Sequence, residues 1–216
     1  MDEILEIGVK SFFLVCLVSI FMGVVTAIQT ASNLLDALTP KFIVGLATRN
    51  MTILELSPTV LGIIIAGKVG SNIASQLSSM RISEQIDALK IFGINTSSYL
   101  VLPKILATVI VFPLLVGISM FLSIYSGYLA SIYISKILSQ DYISGITMYF
   151  KVSDLRLAFY KAFTFAFLMS SISSYIGFYT VGGASDIGRA STKAFSVSCI
   201  AILVADYLIA QLFLNF

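Results

Sequence analysis

Two acidic residues lie in sequence that is otherwise apolar enough to cross a membrane. Glu55 is the only charged residue in 50–67, and Pro58 follows it by three positions. Because proline has no N–H to donate to the carbonyl four residues earlier, we expect the helix to open beside this carboxylate. Asp206 is the only charge in 194–216, where a carboxylate costs at least ~2.5 kcal/mol on insertion scales. We predict that Glu55, Pro58 and Asp206 serve transport or line a cavity; the alternative for Glu55 is a helix-end residue that reaches the interface.

The residue inventory argues against catalysis within the chain. There is no histidine, the most common general base. An intramembrane serine protease would therefore lack its base, and an aspartyl protease would need a second membrane aspartate besides Asp206. Residues 62–68 match G-x-x-x-x-G-K, but Val69 stands where a P-loop needs Ser or Thr, and the stretch lies in an apolar helix. We expect no ATPase, metal or cofactor site in this chain. An intramembrane enzyme and a stand-alone ion-coupled carrier remain the alternatives.

The composition is that of a membrane protein. Of the 216 residues, 58% are hydrophobic and 11% are charged, whereas soluble domains average about 25% charged residues. A soluble fold has too little interior for this much apolar surface, so we expect lipid as the solvent. The net charge of +2 argues against a nucleic-acid partner.

Long apolar runs with few charges predict an all-α, polytopic fold in which 1–216 form a single transmembrane domain. Unpaired backbone groups are not tolerated in lipid, so each run is expected to be a helix. The predicted spans are five in number and cover about 11–35, 50–75, 99–135, 156–181 and 194–215. Lysine and arginine divide almost evenly between the two sides of this topology, so they do not set its orientation.

The least apolar stretch, 76–98, predicts a short amphipathic helix between the second and third spans, at about 83–93. Ser83 suits the N-cap and Gly93 suits the residue that ends the helix. The apolar residues of this helix fall on one face and the charged ones on another. The expected apolar face consists of Ile82, Ile86, Leu89 and Phe92, and the charged face of Glu84, Asp87 and Lys90.

A stripe of small residues follows one face of the second span. Gly62, Ala66, Gly70 and Ala74 recur every four residues. Small side chains let two helices approach closely in lipid, where dispersion contacts replace the hydrophobic driving force. We predict that this stripe is a helix-packing surface.

The whole chain resembles the MlaE/YrbE permease family, which works with MCE-domain lipid-binding proteins. Four stretches carry the resemblance. They are Glu55-Leu56-Ser57-Pro58 against R-E-L-G-P, Ala66-Gly67-Lys68-Val69-Gly70-Ser71 against A-G-R-x-G-S, Met80 to Leu89 against M-R-x-T-E-Q-I-D-A-L with Gly93 following, and Gly188-Arg189-Ala190-Ser191-Thr192 with Asp206-Tyr207. Leu54 replaces the arginine that precedes the glutamate in the family. Members also carry an N-terminal interfacial helix that this chain is expected to lack.

The resemblance implies a permease subunit of an ATP-binding-cassette transporter that moves phospholipid or another lipid. It implies a homodimer, a cytoplasmic pair of ATPase subunits that carry ATP and Mg²⁺, and a periplasmic MCE-domain protein. It places the short helix in the cytoplasm as the coupling helix, with the N-terminus inside and the C-terminus outside the bacterial inner membrane. The coupling residues are then expected to be Arg81, Glu84, Gln85, Asp87 and Leu89.

Overall fold

The computed structural model describes residues 2–33 and 40–214, and within them the chain forms seven helices and no strand. Five of these helices are long and apolar enough to cross a membrane, so the predicted all-α, five-span fold is confirmed. The helices are α1 (Asp2–Asn33), α2 (Phe42–Ile82), α3 (Gln85–Ile91), α4 (Ser97–Tyr133), α5 (Ser139–Thr147), α6 (Val152–Phe178) and α7 (Ala184–Leu214). The predicted span ends at residues 35 and 215 lie outside the described residues.

The second span begins earlier than the charge pattern suggests. The sequence predicts a start near residue 50, after the charge of Arg49, but α2 begins at Phe42. Arg49 is buried, and its guanidinium donates to the carbonyls of Ile146 and Met148, at 2.6 and 2.8 Å, and to the amide oxygen of Asn50. A guanidinium with most of its N–H groups hydrogen-bonded can lie inside a helix pair, so this charge does not mark a helix end.

Helix α2 is locally widened where it carries its proline. Residues Thr52–Val60, which include Pro58, form a π-helix, and Ala66–Gly70 form a second π-helical stretch. The predicted opening of the helix beside Pro58 is therefore confirmed. Such π-helical segments occur mostly as short bulges and are frequent at functional sites.

The chain divides into two compact units. The first unit comprises Met1–Ser11, Leu61–Pro113 and Lys161–Phe216, and the second comprises Phe12–Val60 and Leu114–Tyr160. Each of the helices α1, α2 and α4 contributes residues to both units.

Hydroxyl groups join the helices of the second unit. Ser19 donates to Ser119 at 2.8 Å, Ser119 donates to Ser57 at 3.2 Å, and Ser123 donates to the carbonyl of Ser19 at 2.8 Å. A Cβ on Gly23 would lie 2.0 Å from the carbonyl oxygen of Ser123, so α1 and α4 approach at backbone distance there. This is the small-residue, polar-bridged packing expected for helices in lipid.

The short helix α5 packs against the start of α2. Tyr142 is fully buried between them, and burial raises the pKa of Tyr142 to about 12. A Cβ on Gly45 would lie 2.3 Å from the carbonyl oxygen of Tyr142, and one on Gly145 would lie 2.0 Å from that of Phe42. Glycine at both positions therefore lets the two backbones touch.

Candidate functional site

The small-residue stripe of α2 packs against α6 within the first unit. Gly62, Ala66, Gly70 and Ala74 are all buried. A Cβ on Gly62 would meet the Phe165 ring at 3.4 Å, and one on Gly70 would meet the Ser173 hydroxyl at 2.8 Å.

A third contact continues the same register. A Cβ on Gly177 would lie 2.7 Å from the carbonyl oxygen of Ala74. In all three pairs the α6 residue lies 103 positions beyond its α2 partner, so the two helices run parallel with a constant offset. The stripe therefore sets both the spacing and the register of this helix pair.

Hydroxyl groups fix α2 to its neighbours within the stripe and just beyond it. Ser191 of α7 donates to the carbonyl of Ser71 at 3.1 Å, and Ser71 donates back to the carbonyl of Ser191 at 3.4 Å. Ser78 lies 2.9 Å from the Thr180 hydroxyl that follows α6. The end of α2 is thus hydrogen-bonded to both α6 and α7, so a displacement of this end would be passed to them.

Asp206 has a partner that sequence reasoning did not assign. The Lys161 ammonium of α6 lies 2.7 Å from Asp206 Oδ1 of α7. The Lys161 side chain is 1% exposed and that of Asp206 is 17% exposed. Ionisable groups within membrane spans usually pair with one another. The sequence does hold a signal for this pair, because Lys161 lies inside the predicted span 156–181.

Glu55 and Pro58 belong to the second unit. Glu55 is exposed, Pro58 is buried, and the Thr59 hydroxyl lies 3.4 Å from Glu55 Oε2. The carboxylate is thus displayed at the surface of the π-helical segment, while the proline that widens the helix packs inside.

The short helix α3 follows α2 after a tight turn. Its N-cap is Glu84, with a left-handed φ of 60°, so the prediction of Ser83 as the N-cap is wrong. The Ser83 hydroxyl instead donates back to the Ser79 carbonyl at 2.8 Å, closing α2. The predicted end is confirmed. Gly93 has φ 74°, its N–H bonds to the Lys90 carbonyl, and the next N–H bonds to that of Leu89, which is a Schellman ending.

One ion pair, Arg81–Asp87, ties α3 to α2, and Lys90 of α3 also contacts Asp87. Asp87 accepts from Arg81 at 2.5 Å and from Lys90 at 3.2 Å. The hydrogen bond from Lys90, followed by that from Arg81, lowers the pKa of Asp87. Lys90 also lies 5.8 Å from the centre of the Phe178 ring at the end of α6. The helix is therefore held against two of the spans that carry the small-residue contact.

The faces of α3 are divided almost as the sequence predicts. Glu84 and Gln85 are exposed, Ile86 is fully buried and Leu89 is half-buried. Phe92, the last residue of the predicted apolar face, is 79% exposed, so this face is not buried along its whole length.

A polar cluster at the start of α1 and α4 was also missed. Lys104, whose side chain is 6% exposed, donates to Glu3 at 2.6 Å and to the amide oxygen of Gln76 at 2.7 Å. The three residues are far apart in sequence, and none belongs to a motif that would have singled it out.

The structure has five candidate spans, and a short amphipathic helix joins the second to the third. The spans contact one another through buried small residues and a buried ion pair. These features define a multi-pass membrane protein. A family model described as Permease MlaE matches residues 1–212, and the chain belongs to this family.

Curated relatives agree with this assignment. A probable ABC transporter permease protein of Rickettsia bellii is 35% identical over 211 residues, which cover 98% of this chain and 81% of that protein. A probable ABC transporter permease protein of Synechocystis is 27% identical, covering 98% and 80%. The chloroplastic protein TRIGALACTOSYLDIACYLGLYCEROL 1 of Arabidopsis thaliana is 28% identical, covering 99% of this chain and 61% of that protein. The chain is therefore an ABC transporter permease subunit, a transport protein rather than an enzyme.

Proposed function

We propose that the chain is the permease of a phospholipid transporter and acts as a homodimer with a cytoplasmic ATPase pair and a periplasmic MCE-domain protein. The observation that carries this proposal is the match to the Permease MlaE family across residues 1–212. The Arabidopsis relative is named after trigalactosyldiacylglycerol, a galactolipid, and this name supports a lipid as the class of cargo.

The ATPase is proposed to dock on α3. The N-terminal end of this helix presents Glu84 and Gln85 to solvent, while Ile86 is buried against the rest of the first unit. Charged groups at the rim of an interface steer partners and fix their register. A helix that is exposed on one side and bound to α2 and α6 on the other can pass a partner's movement to the spans.

This docking sets the orientation that we propose. Residues 83–96 then lie in the cytoplasm, the N-terminus is cytoplasmic, the C-terminus is periplasmic, and the membrane is the bacterial inner membrane. The cargo route is proposed to involve Glu55, Pro58 and Asp206, with the two acidic residues meeting lipid headgroups or holding the helices in register.

The test is reconstitution of the chain with its ATPase and MCE-domain partners in phospholipid vesicles. We expect ATP-dependent transfer of labelled phospholipid between the vesicles and the MCE-domain protein, and no transfer when the ATPase cannot hydrolyse ATP. Transfer of a non-lipid solute without any lipid movement would overturn the assignment of the cargo.

A further inference from the structure

A cleft of about 320 Å³ lies between the start of α1 and the second half of α2, within the first unit. Its polar lining consists of Glu3, Lys10, Ser11, Lys68, Asn72 and Gln76. Neither the transport residues nor the coupling residues predicted from sequence contribute to it. Its chemistry therefore needs a separate explanation.

The cleft has a basic end. The Lys68 ammonium donates to the backbone carbonyl of Lys10, which brings the two lysines together across the cleft. An ammonium has three donors, so this bond leaves Lys68 with further capacity. Asn72 lies one helical turn further along α2, and its exposed side chain adds an amide donor.

The other end of the cleft is closed by the Glu3–Lys104–Gln76 cluster. Lys104 spans from the Glu3 carboxylate to the Gln76 amide oxygen, and its burial fixes the distance between α1 and α2 there. Among the described side chains, the lining holds two lysines and one glutamate, and Lys104 outside the lining pairs with that glutamate. The excess positive charge favours an anionic ligand.

The depth of the basic end matches the level of lipid phosphates. Lys10 is the last charged residue before the uncharged stretch 11–33 of α1, so it lies where that span enters the hydrocarbon region. Leu5 and Val9 on the same helix are exposed, which gives α1 an apolar outer surface beside the cleft. Lys68 shares this depth because it contacts Lys10.

We propose that this cleft binds the phosphate group of a membrane phospholipid through Lys68, Lys10 and Asn72. The site lies on the α3 side of the membrane. It is separate from the cargo route proposed above and does not depend on it. Binding would hold α1 against the part of α2 that leads into α3.

The experiment uses the full chain purified in a neutral detergent and measures its thermal unfolding midpoint with three additions. These are phosphatidylglycerol, diacylglycerol with the same acyl chains, and inorganic phosphate. We expect phosphatidylglycerol to raise the midpoint and diacylglycerol to leave it unchanged. An equal effect of diacylglycerol would overturn the proposal. A rise with inorganic phosphate that depends on Lys68 would support the phosphate site with the free anion as its ligand.

Variants locate the site. Lys68→Gln should weaken the apparent affinity for phosphatidylglycerol about tenfold, as expected for one charge-assisted hydrogen bond, and Lys68→Arg should retain it. Lys41→Gln, at the other end of α2, is the matched control for non-specific attraction to anionic lipid. If Lys68→Gln fails to fold, Asn72→Leu removes a donor from the cleft without changing its charge. Unchanged affinity in both Lys68→Gln and Asn72→Leu, or an equal loss in Lys41→Gln, would contradict the proposal.

Discussion

The ion pairs of this chain differ most in how deeply they are buried. In the Lys161–Asp206 pair the lysine side chain is 1% exposed, whereas the Arg189 side chain of the Arg189–Asp186 pair is 81% exposed. Removing one partner of a buried pair is costly because the other charge stays out of water, while an exposed pair contributes about 0–1 kcal/mol. The two partners of the buried pair are also unequal, since Asp206 reaches solvent more than Lys161 does.

We therefore predict that Asp206→Asn destabilises the protein more than Lys161→Gln. The first variant leaves a nearly inaccessible ammonium without its salt bridge, and the second leaves a carboxylate that is partly accessible. The larger loss should be about 3–5 kcal/mol. Unfolding in mixed detergent micelles measures both losses.

Arg189→Gln is the matched control, and it should change stability by less than about 1 kcal/mol. The double variant Lys161→Met with Asp206→Leu should recover much of the loss, because no buried charge remains. If the double variant instead costs the sum of the two single changes, the salt bridge is not what stabilises this contact.

Removing the charge of Glu55, unlike that of Asp206, should leave stability unchanged. Because its side chain is exposed, Glu55→Gln should leave the thermal unfolding midpoint unchanged. If it meets the cargo, the same change should lower the rate of ATP-dependent phospholipid transfer in proteoliposomes. Normal transfer by Glu55→Gln at normal stability would remove the charge of this residue from the transport route.

The low pKa of Asp87 predicts how α3 responds to pH. Since its folded pKa lies below the unfolded value, the contribution of Asp87 is complete above about pH 4 and is lost as pH falls through the folded pKa. The chain has no tryptophan, so Phe92→Trp places a single reporter beside α3. Its fluorescence anisotropy should stay constant from about pH 7 to 5 and fall only below about pH 4. In Asp87→Asn the anisotropy should already be low at neutral pH; a fall in the parent variant between pH 7 and 5 would show that another group controls α3.

At the scale of helices, the sequence predicts existence better than extent. The five spans follow from long apolar runs with few charges, because lipid forces such runs into helices. Charged residues are poor markers of where a span begins or ends. The Arg49 guanidinium is hydrogen-bonded to backbone carbonyls inside the fold, so it does not mark the start of α2. The salt bridge of Asp206 was missed for a related reason, because pairing with Lys161 depends on how α6 and α7 pack.

The close packing of α2 on α6 predicts how strongly each of three glycine-to-alanine substitutions destabilises the protein. Gly177→Ala should cost the most, because its Cβ would lie 2.7 Å from a backbone oxygen that cannot rotate away. Gly70→Ala should cost less, because the Ser173 hydroxyl at 2.8 Å belongs to a side chain that can move. Gly62→Ala, with 3.4 Å to the nearest atom, should be tolerated best. The thermal unfolding midpoint of each variant measures this order.

Gly188→Ala is the control for helix propensity. Nothing lies within 4 Å of its added Cβ, so it should stabilise α7 by about 0.5–1 kcal/mol.

Larger side chains on the stripe, Ala66→Leu and Gly70→Leu, should each cost about 1–3 kcal/mol and uncouple ATP hydrolysis from lipid transfer. Ile64→Leu, off the stripe, should do neither; equal behaviour of Gly70→Leu and Ile64→Leu would mean that the stripe does not transmit force.

At the scale of the whole molecule, the proposed path of force lies within one compact unit. The first unit contains α3, the small-residue contact of α2 with α6, and the Lys161–Asp206 pair that joins α6 to α7. A push on α3 therefore reaches α2 and α6 through the partly exposed contacts of Asp87 and Lys90, and reaches α7 through the buried Lys161–Asp206 pair. This path operates only if the ATPase acts on α3.

The most direct test of this account reverses the charge at the exposed start of α3. The complex is purified through a tag on the ATPase, and the amount of permease recovered and the rate of ATP-dependent phospholipid transfer are measured together. Glu84→Lys should insert normally but lose both co-purification and transfer, while Glu84→Gln should lose less. Asp141→Lys, which reverses an acid in the first turn of α5, is the matched control and should co-purify with the ATPase as the natural chain does. Unchanged co-purification and unchanged transfer in Glu84→Lys would contradict the assignment of α3 as the coupling helix.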